Sequence, residues 1–384
     1  MLVKLKDVVD KISGNEDRLT TSLEYYLGGE HYDSERIAIY KKGIIKDDIN
    51  ILGFKFHFPF RAGDTIFMSR NPHLKKAGMV TYDGICSDTS YILRTKDENV
   101  LLGTYLPLVL QNERFWRWFE ENKSGSVNYL LNWKALKEYE FELPSVEDQK
   151  RIADLVWAME ETRVSYEELL SATDDLVKSQ FIKMFGRLGE NDKGWGLLTL
   201  GECCEINPKR PRNIDDALPV SFVPMSAVSE HGKIDCTEIK PYGAVKKGFT
   251  YFAENDVLFA KITPCMENGK GAIAEGLSNG IGAGSTEFHV LRPMEGKSNP
   301  YWLYTITMFD EFRKKAREMM TGTGGQLRVP ASFLEKYPVT LPPIELQNEF
   351  EQFVRQSEKS KHDLQVCIDA LDHYDHYLSQ QKIG

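Results

Sequence analysis

Two stretches of the chain repeat apolar residues at a mean interval of 3.5. In the first, Ile152, Leu155, Met159, Thr162, Tyr166, Leu169, Thr173 and Leu176 follow one another at steps of 3, 4, 3, 4, 3, 4 and 3. Val156, Leu170 and Val177 widen that stripe. In the second, Phe350, Phe353, Ser357, Ser360, Leu364, Cys367, Leu371, Tyr374 and Leu378 keep the same rhythm. Such a repeat is the seam of a coiled coil, because two positions of every heptad turn toward a partner helix. Neither stretch holds glycine or proline until Gly186 and Gly384. Helix-start signals precede both: Ser145 as N-cap with Asp148 after it, and Pro342 and Pro343 before Glu345. Segments 147–183 and 345–382, 37 and 38 residues long, make rods of roughly 55 Å at 1.5 Å per residue. Ordinary helices average about 12 residues, so each rod is expected to pack on the other, antiparallel.

Outside the rods the pattern changes to short β-branched or aromatic runs separated by turns. IAIY (37–40), TIFM (65–68), MVTY (79–82), SYIL (90–93), DVLFAKI (256–262) and EFHVLR (287–292) read as strands. One helix is expected in each region, over 102–122 and 300–319, followed by the glycine turns KSGS (123–126) and TGTGGQ (321–326). Both regions are therefore of mixed α/β (α+β) class. They also repeat each other. An offset of 198 pairs Leu143-Pro144 with Leu341-Pro342, Gln149 with Gln347, Arg94 with Arg292, and SDTSYILR (87–94) with STEFHVLR (285–292). Upstream the offset is 192, matching GDTIFMSRNP (63–72) with NDVLFAKITP (255–264). The repeating unit is a whole domain and the rod that follows it.

Composition refines this picture. A chain of 384 residues with 41% hydrophobic side chains accommodates two ordinary cores. No apolar run reaches the roughly 18 residues of a membrane span. The alternating N-terminus MLVKLKDVVDKISG does not read as a signal peptide. The six cysteines form no C-x-x-C pair, which suits reduced thiols in a cytoplasm. Net charge is −9, but the two rods hold −8 of it. The remainder is nearly neutral, and local charge is what phosphates feel.

Local basic loops are present at corresponding places. Arg70, Asn71, His73, Lys75 and Lys76 in the first domain match the loop carrying Lys261, Asn268 and Lys270 in the second. Gln326 and Arg328 follow a glycine turn, and Lys209, Arg210 and Arg212 surround two prolines. These side chains offer cations for phosphates and planar or bidentate groups for base edges. Each taken singly also fits an ordinary exposed side chain. The aromatic cluster Phe115, Trp116, Trp118 and Phe119 has the spacing of a packed core rather than of a base-stacking platform.

Catalytic signatures are missing. The Asn-Pro pairs at 71–72, 207–208 and 299–300 lack the further proline and aromatic of a methyltransferase tetrapeptide. GIGAG (280–284) and GTGG (322–325) have no Walker lysine after them. His373 and His376 beside Asp372 and Asp375 read as a solvated helix face. No catalytic or metal-binding residue is assigned.

The segments ELPSVEDQKRIADLV (142–156), LPPIELQNEFEQFV (341–354), FIKMFG (181–186), TGTGGQLRV (321–329), DVLFAKITPCMENGKGAI (256–273) and SAVSEHGKI (226–234) occur in family order. In this the chain resembles the specificity (S) subunits of type I restriction–modification systems. The resemblance implies a target-recognition domain over 1–144, a central helix over 145–186, a second recognition domain over 187–343 and a C-terminal helix over 344–384. It further implies binding to double-stranded DNA at two half-sites, with the helices as spacer. The expected partners are two methyltransferase (modification) subunits, which hold S-adenosylmethionine and methylate adenine, and restriction endonuclease subunits. The chain itself is then non-catalytic, without cofactor or membrane, and cytoplasmic. The first copy departs from the pattern with KSGSVNYL in place of TGTGGQLRV. The alternative reading is a coiled-coil scaffold that assembles protein partners without DNA.

Overall fold

The computed structural model describes residues 1–71, 74–123, 129–323 and 325–380. It divides into two compact units: residues 1–168 with the C-terminal helix from Leu364, and residues 169–363. This division falls inside each long helix, so each unit holds one mixed α/β domain and part of both rods.

The first unit is built on two sheets. One orders its strands Val9–Ile12, Ser90–Thr95, Thr65–Met68, Ala77–Val80 and Ala38–Ile39. The other runs Gly43–Ile44, Tyr25–Leu27, Gly84–Ser87 and Phe56–Phe60, with a parallel central pair. The second unit repeats both. Cys204–Ile206, Phe288–Pro293, Val257–Ala260 and Gly271–Ile273 form an antiparallel sheet. Ile239–Pro241, Pro219–Val223, Ile281–Gly284 and Thr250–Ala253 form the other, again with a parallel central pair. Each domain is closed by a strand pair at its base. Leu2–Lys4 pairs with Glu140–Glu142, and Gly196–Thr199 pairs with Pro338–Leu341.

A bidentate ion pair marks the repeat inside each sheet. Arg94 donates to both oxygens of Asp64, and Arg292 to both oxygens of Asp256. The aromatic cluster packs the first core: Phe115, Trp116 and Phe119 are buried beside Phe67 and Tyr139. The single helices expected over 102–122 and 300–319 are each two helices. Leu106–Gln111 and Glu113–Asn122 are broken at Asn112, whose extended backbone lets its side chain cap the second helix at Arg114 N, 2.9 Å. Pro300–Met308 and Asp310–Glu318 break at Phe309, which turns its ring into the core against Phe181.

The first rod is the helix Val146–Phe185, capped at Ser145, and the second is Ile344–Gln380. Within each unit the two run antiparallel. In the first, Val156 and Leu378 share a core while Arg163 reaches Asp372. In the second, Asp174 meets Lys361 and Phe181 meets Phe350. Among the described residues no helix is long and apolar enough to cross a membrane.

The seam needs a correction. Phe350 and Met159 are buried, and Ile152, Tyr166, Phe353, Leu364, Leu371 and Leu378 are half-buried. Leu155, Leu169 and Leu176 instead lie on the outside, 47%, 50% and 53% exposed. The inward face of the first rod is one residue further on: Gln149, Ala153, Val156, Glu160 and Arg163, then Leu170, Asp174, Val177 and Phe181.

A glutamine clasp sets this rotation. Gln149, fully buried, accepts from Leu102 N (2.9 Å) and donates to the carbonyls of Val100 and Pro144. Its repeat partner Gln347 accepts from Asn299 N (2.9 Å) and donates to Lys297 and Pro342. A hydrophobic stripe cannot announce a seam whose inward residues include ions. Glu160 and Arg163 are buried because each has partners. Arg36 donates to both oxygens of Glu160, and Arg163 to Glu160 and Asp372, each at 2.8 Å.

Candidate nucleic-acid interface

The same three-way junction is built in both domains. At the end of a central strand, Ser69 N donates to Thr89 O (2.9 Å) and Ser69 O accepts from Leu131 N (3.0 Å). In the second domain Lys261 N donates to Glu287 O (2.9 Å) and Lys261 O accepts from Val329 N (2.9 Å). One step further, Asn71 N reaches Tyr129 O and Thr263 N reaches Leu327 O, with bridges between Arg70 and Leu130 and between Ile262 and Arg328. The loops singled out for their charge therefore start from matching scaffolds.

In the second domain this junction gathers Lys261, Gln326 and Arg328. The turn TGTGGQ opens as a hairpin of Thr321–Thr323 with Gln326–Arg328, and Gly325 supplies its left-handed backbone (φ 77°). Gln326 is exposed beside it. Arg328 donates through Nε and Nη2 to the two oxygens of Glu287, at 2.9 and 2.8 Å. That bond holds the Glu287 carboxyl below its usual range, and burial chiefly lowers the Lys261 ammonium. The loop after Lys261 contains a cis Thr263-Pro264 bond and ends in Asn268, exposed, Gly269 and Lys270, whose ammonium reaches Met225 O at 3.4 Å.

The basic loop 209–212 is tied to the same junction through His289. Its Nε2 lies 2.8 Å from Val329 O and its Nδ1 3.0 Å from Asn207 Nδ2. A carbonyl can only accept, so Nε2 carries the proton and Nδ1 accepts from the amide. Burial lowers the His289 pKa and keeps this neutral form. Lys209 and Arg212 are exposed beyond it, while Arg210 donates to Phe249 O at 3.1 Å.

The first domain arranges its loop differently. Arg70 and Asn71 are exposed. Lys75 is paired with Glu35, and Lys76 donates to Gly29 O at 2.6 Å. His73 lies outside the described residues. The cavity of about 480 Å³ in this unit surrounds the Arg36 and Arg163 ion pairs and is no groove for a duplex. Among the described residues no group of three or more His, Cys, Asp or Glu side chains is placed to hold a metal ion.

Sequence reasoning missed Arg313, which shapes the 264–271 turn from behind. It is 8% exposed on Asp310–Glu318 and donates to the carbonyls of Met266 and Gly269, the latter at 3.1 Å. Burial pushes its pKa down to about 10, so it remains cationic at neutral pH. The only sequence signal is an arginine beside Phe312 on the buried face of an amphipathic helix. Arg313→Met is expected to free both carbonyls, since hydrogen bonds to a charged group contribute about 1.5–3 kcal/mol each. Hydrogen exchange at Asn268, Gly269 and Lys270, whose amides are bonded within the turn, should then quicken by about tenfold or more. Unchanged exchange there would show that the turn holds itself.

Comparison with known proteins agrees with this duplicated architecture. The chain matches the family model described as type I restriction modification DNA specificity domain over residues 1–168 and again over 192–365. It is 41% identical over 189 residues to the type I restriction enzyme EcoEI specificity subunit of Escherichia coli, covering 47% of this chain and 31% of that protein. Against the EcoAI specificity subunit of Escherichia coli it is 45% identical over 157 residues, covering 40% and 26%. The matches thus span less than a third of either relative. Among solved structures, the S subunit of a type I restriction-modification system from M. genitalium superposes with a TM-score of 0.53 at 12% identity, covering 99% of this chain and 95% of that one. A chain from a structure on complex assembly and conformational transition of the type I R-M system gives 0.52 at 18% identity, covering 100% and 97%. At such identities these two similarities establish the fold.

Proposed function

Because the chain belongs to the family of type I restriction modification DNA specificity domains, we propose that it reads a bipartite site in double-stranded DNA, one half with each recognition domain. The duplicated junction, with exposed polar and basic side chains in both copies, carries this reading. Phosphate contacts from Lys209, Arg212 and Arg70 give position and affinity, and the loops beside the junction select bases. Two weak half-sites on one chain reinforce each other, since the second contact is intramolecular. The acidic rods face protein rather than DNA: two modification subunits carrying S-adenosylmethionine, and restriction subunits. Chemistry resides in those partners, and this chain supplies the choice of sequence.

Co-expression with a modification subunit, followed by mapping of methylated adenines in genomic DNA, tests this. The expected result is one motif with two fixed halves and a fixed gap, lost when this chain is omitted. Unchanged methylation beside an active modification subunit would refute it and leave the scaffold reading. Binding of the complex to duplex DNA should also weaken steeply with salt, with a log–log slope of about −0.9 per phosphate contacted.

A further inference from the structure

The two junctions share a backbone and differ in their side chains, and three of the exchanges introduce charge in the second copy. Ser69, Thr89 and Leu130 stand in the first domain where Lys261, Glu287 and Arg328 stand in the second. A shared mount with exchanged side chains is where two copies of one fold come to read different sequences. In the second copy the mount is firm. Thr263 bonds the hairpin three times: its N–H donates to Leu327 O (3.0 Å), its hydroxyl donates to Gly325 O (2.8 Å), and its Oγ1 accepts from Leu327 N (3.1 Å). Glu287 is held in turn by its own backbone bonds to Lys261 N and Ser285 Oγ.

Arg328 is therefore oriented as well as placed. Its Nε and Nη2 are engaged side-on by the Glu287 carboxylate, and among the described residues Nη1 makes a long 3.4 Å contact to Gln326 O. The end of the fork, one hydrogen on each terminal nitrogen, stays directed away from Glu287, on a side chain 40% exposed. Two parallel donors at that spacing match a phosphate or the adjacent N7 and O6 of guanine. Charge decides between them. The carboxylate offsets the guanidinium, so the pair by itself has little net attraction for an anion. Among the described residues, the positive charge left over at the junction belongs to Lys261, which can meet a phosphate while Arg328 faces a base. The neutral acceptors of a base are not repelled by Glu287 in this way.

We propose that Arg328, oriented by Glu287, reads a guanine in the half-site of the second domain. The inference rests on the DNA-reading role proposed above and assigns one of its contacts. Glu287 is a positioning residue here, acting through Arg328.

The test uses the complex with its modification subunit, carrying Arg328→Ala, Arg328→Lys or Glu287→Gln, with methylation motifs mapped for each. In the parent complex the second half-site should require a G·C pair. Arg328→Ala should relax that one position, with discrimination falling about 5- to 150-fold, and leave the first half-site unchanged. Arg328→Lys should relax it too, because lysine lacks the fork. Glu287→Gln should keep the guanine preference in weakened form and raise binding to unrelated duplexes, since the guanidinium is no longer offset. A second half-site without any G·C requirement would overturn the assignment. So would a loss in Arg328→Ala spread equally over all sequences, which is the mark of a phosphate contact. A parent complex that methylates no bipartite motif would instead sink the broader reading. Thermal unfolding of each variant separates lost folding from lost reading.

Discussion

Replacing Arg163 with alanine is expected to destabilise the first unit by about 3–5 kcal/mol, the cost of breaking a buried ion network at one member. The Arg163 side chain is 6% exposed and that of Glu160 2%, with Asp372 at 2.8 Å and Asp375 at 3.7 Å from the guanidinium. Truncation leaves three carboxylates around the hole, of which Glu160 keeps its ion pair with Arg36 and Asp375 keeps only that cation's weaker, more distant attraction. Burial already raises the Asp375 pKa, with Arg163 the main force holding it down. Without Arg163 it should rise further. A carboxyl with a raised pKa in the folded state stabilises when protonated, and that contribution is lost as pH rises through the folded value. The gap between variant and parent should therefore be widest near pH 7 and narrow toward pH 5. Urea unfolding of the full chain at both pH values measures it. A loss below about 1 kcal/mol at pH 7, the range of exposed pairs, would mean the network is solvated.

Gln347→Ala should cost the second unit about 3 kcal/mol or more, although it removes no charge and little apolar surface. The clasp leaves behind one N–H, at Asn299, and two carbonyls, at Lys297 and Pro342, in a site with no water access to Gln347. Each buried group stripped of its partner costs about 1–3 kcal/mol. Gln347→Glu should do no better than alanine, because a carboxylate cannot donate to the two carbonyls. Chemical unfolding followed at the tryptophans of the second unit reads both variants. If glutamate restores the parent stability, the donor half of the clasp is irrelevant and the account given for it is wrong.

Much of this architecture is legible in the sequence, because the rods have a period and the domains repeat. The strands around Phe67, Phe259 and Val290 follow from β-branched and aromatic runs, and the Ser145 cap from its spacing to Asp148. Pairing order does not follow: nothing local in Tyr25–Leu27 or Pro219–Val223 says that each lies parallel to a strand some sixty residues away. The seam was displaced by one residue for a related reason. Leu155, Leu169 and Leu176 satisfy an apolar count, while the true inward positions include Glu160, Arg163 and Asp174. Glu160 and Arg163 are buried with partners supplied by distant segments, while Asp174 keeps 40% of its side chain exposed beside Lys361. Arg313 and Glu287 were overlooked on the same ground, since a buried arginine bonded to carbonyls and an orienting carboxylate are defined by contacts 41 to 47 residues away. The break at Asn112 is hidden in the sequence by the apolar run LGTYLPLVL before it and the aromatic run after it, which together read as one helix.

The closing strand pairs at the base of each domain bear on how such a chain changes over generations. Because Leu2–Lys4 lies against Glu140–Glu142, and Gly196–Thr199 against Pro338–Leu341, the polypeptide enters and leaves each domain side by side. A stretch of gene bounded by those strands encodes a self-closed cassette, and the sockets receiving it end in equivalent glutamines. On the DNA-reading role proposed above, recombination at these borders would exchange one preference in a single step and leave the rods and the other domain as they were. On the same reading, mutation within one cassette would change one proposed half-site and leave the other as it was. Diversity of this kind needs no intermediate that has lost the ability to assemble.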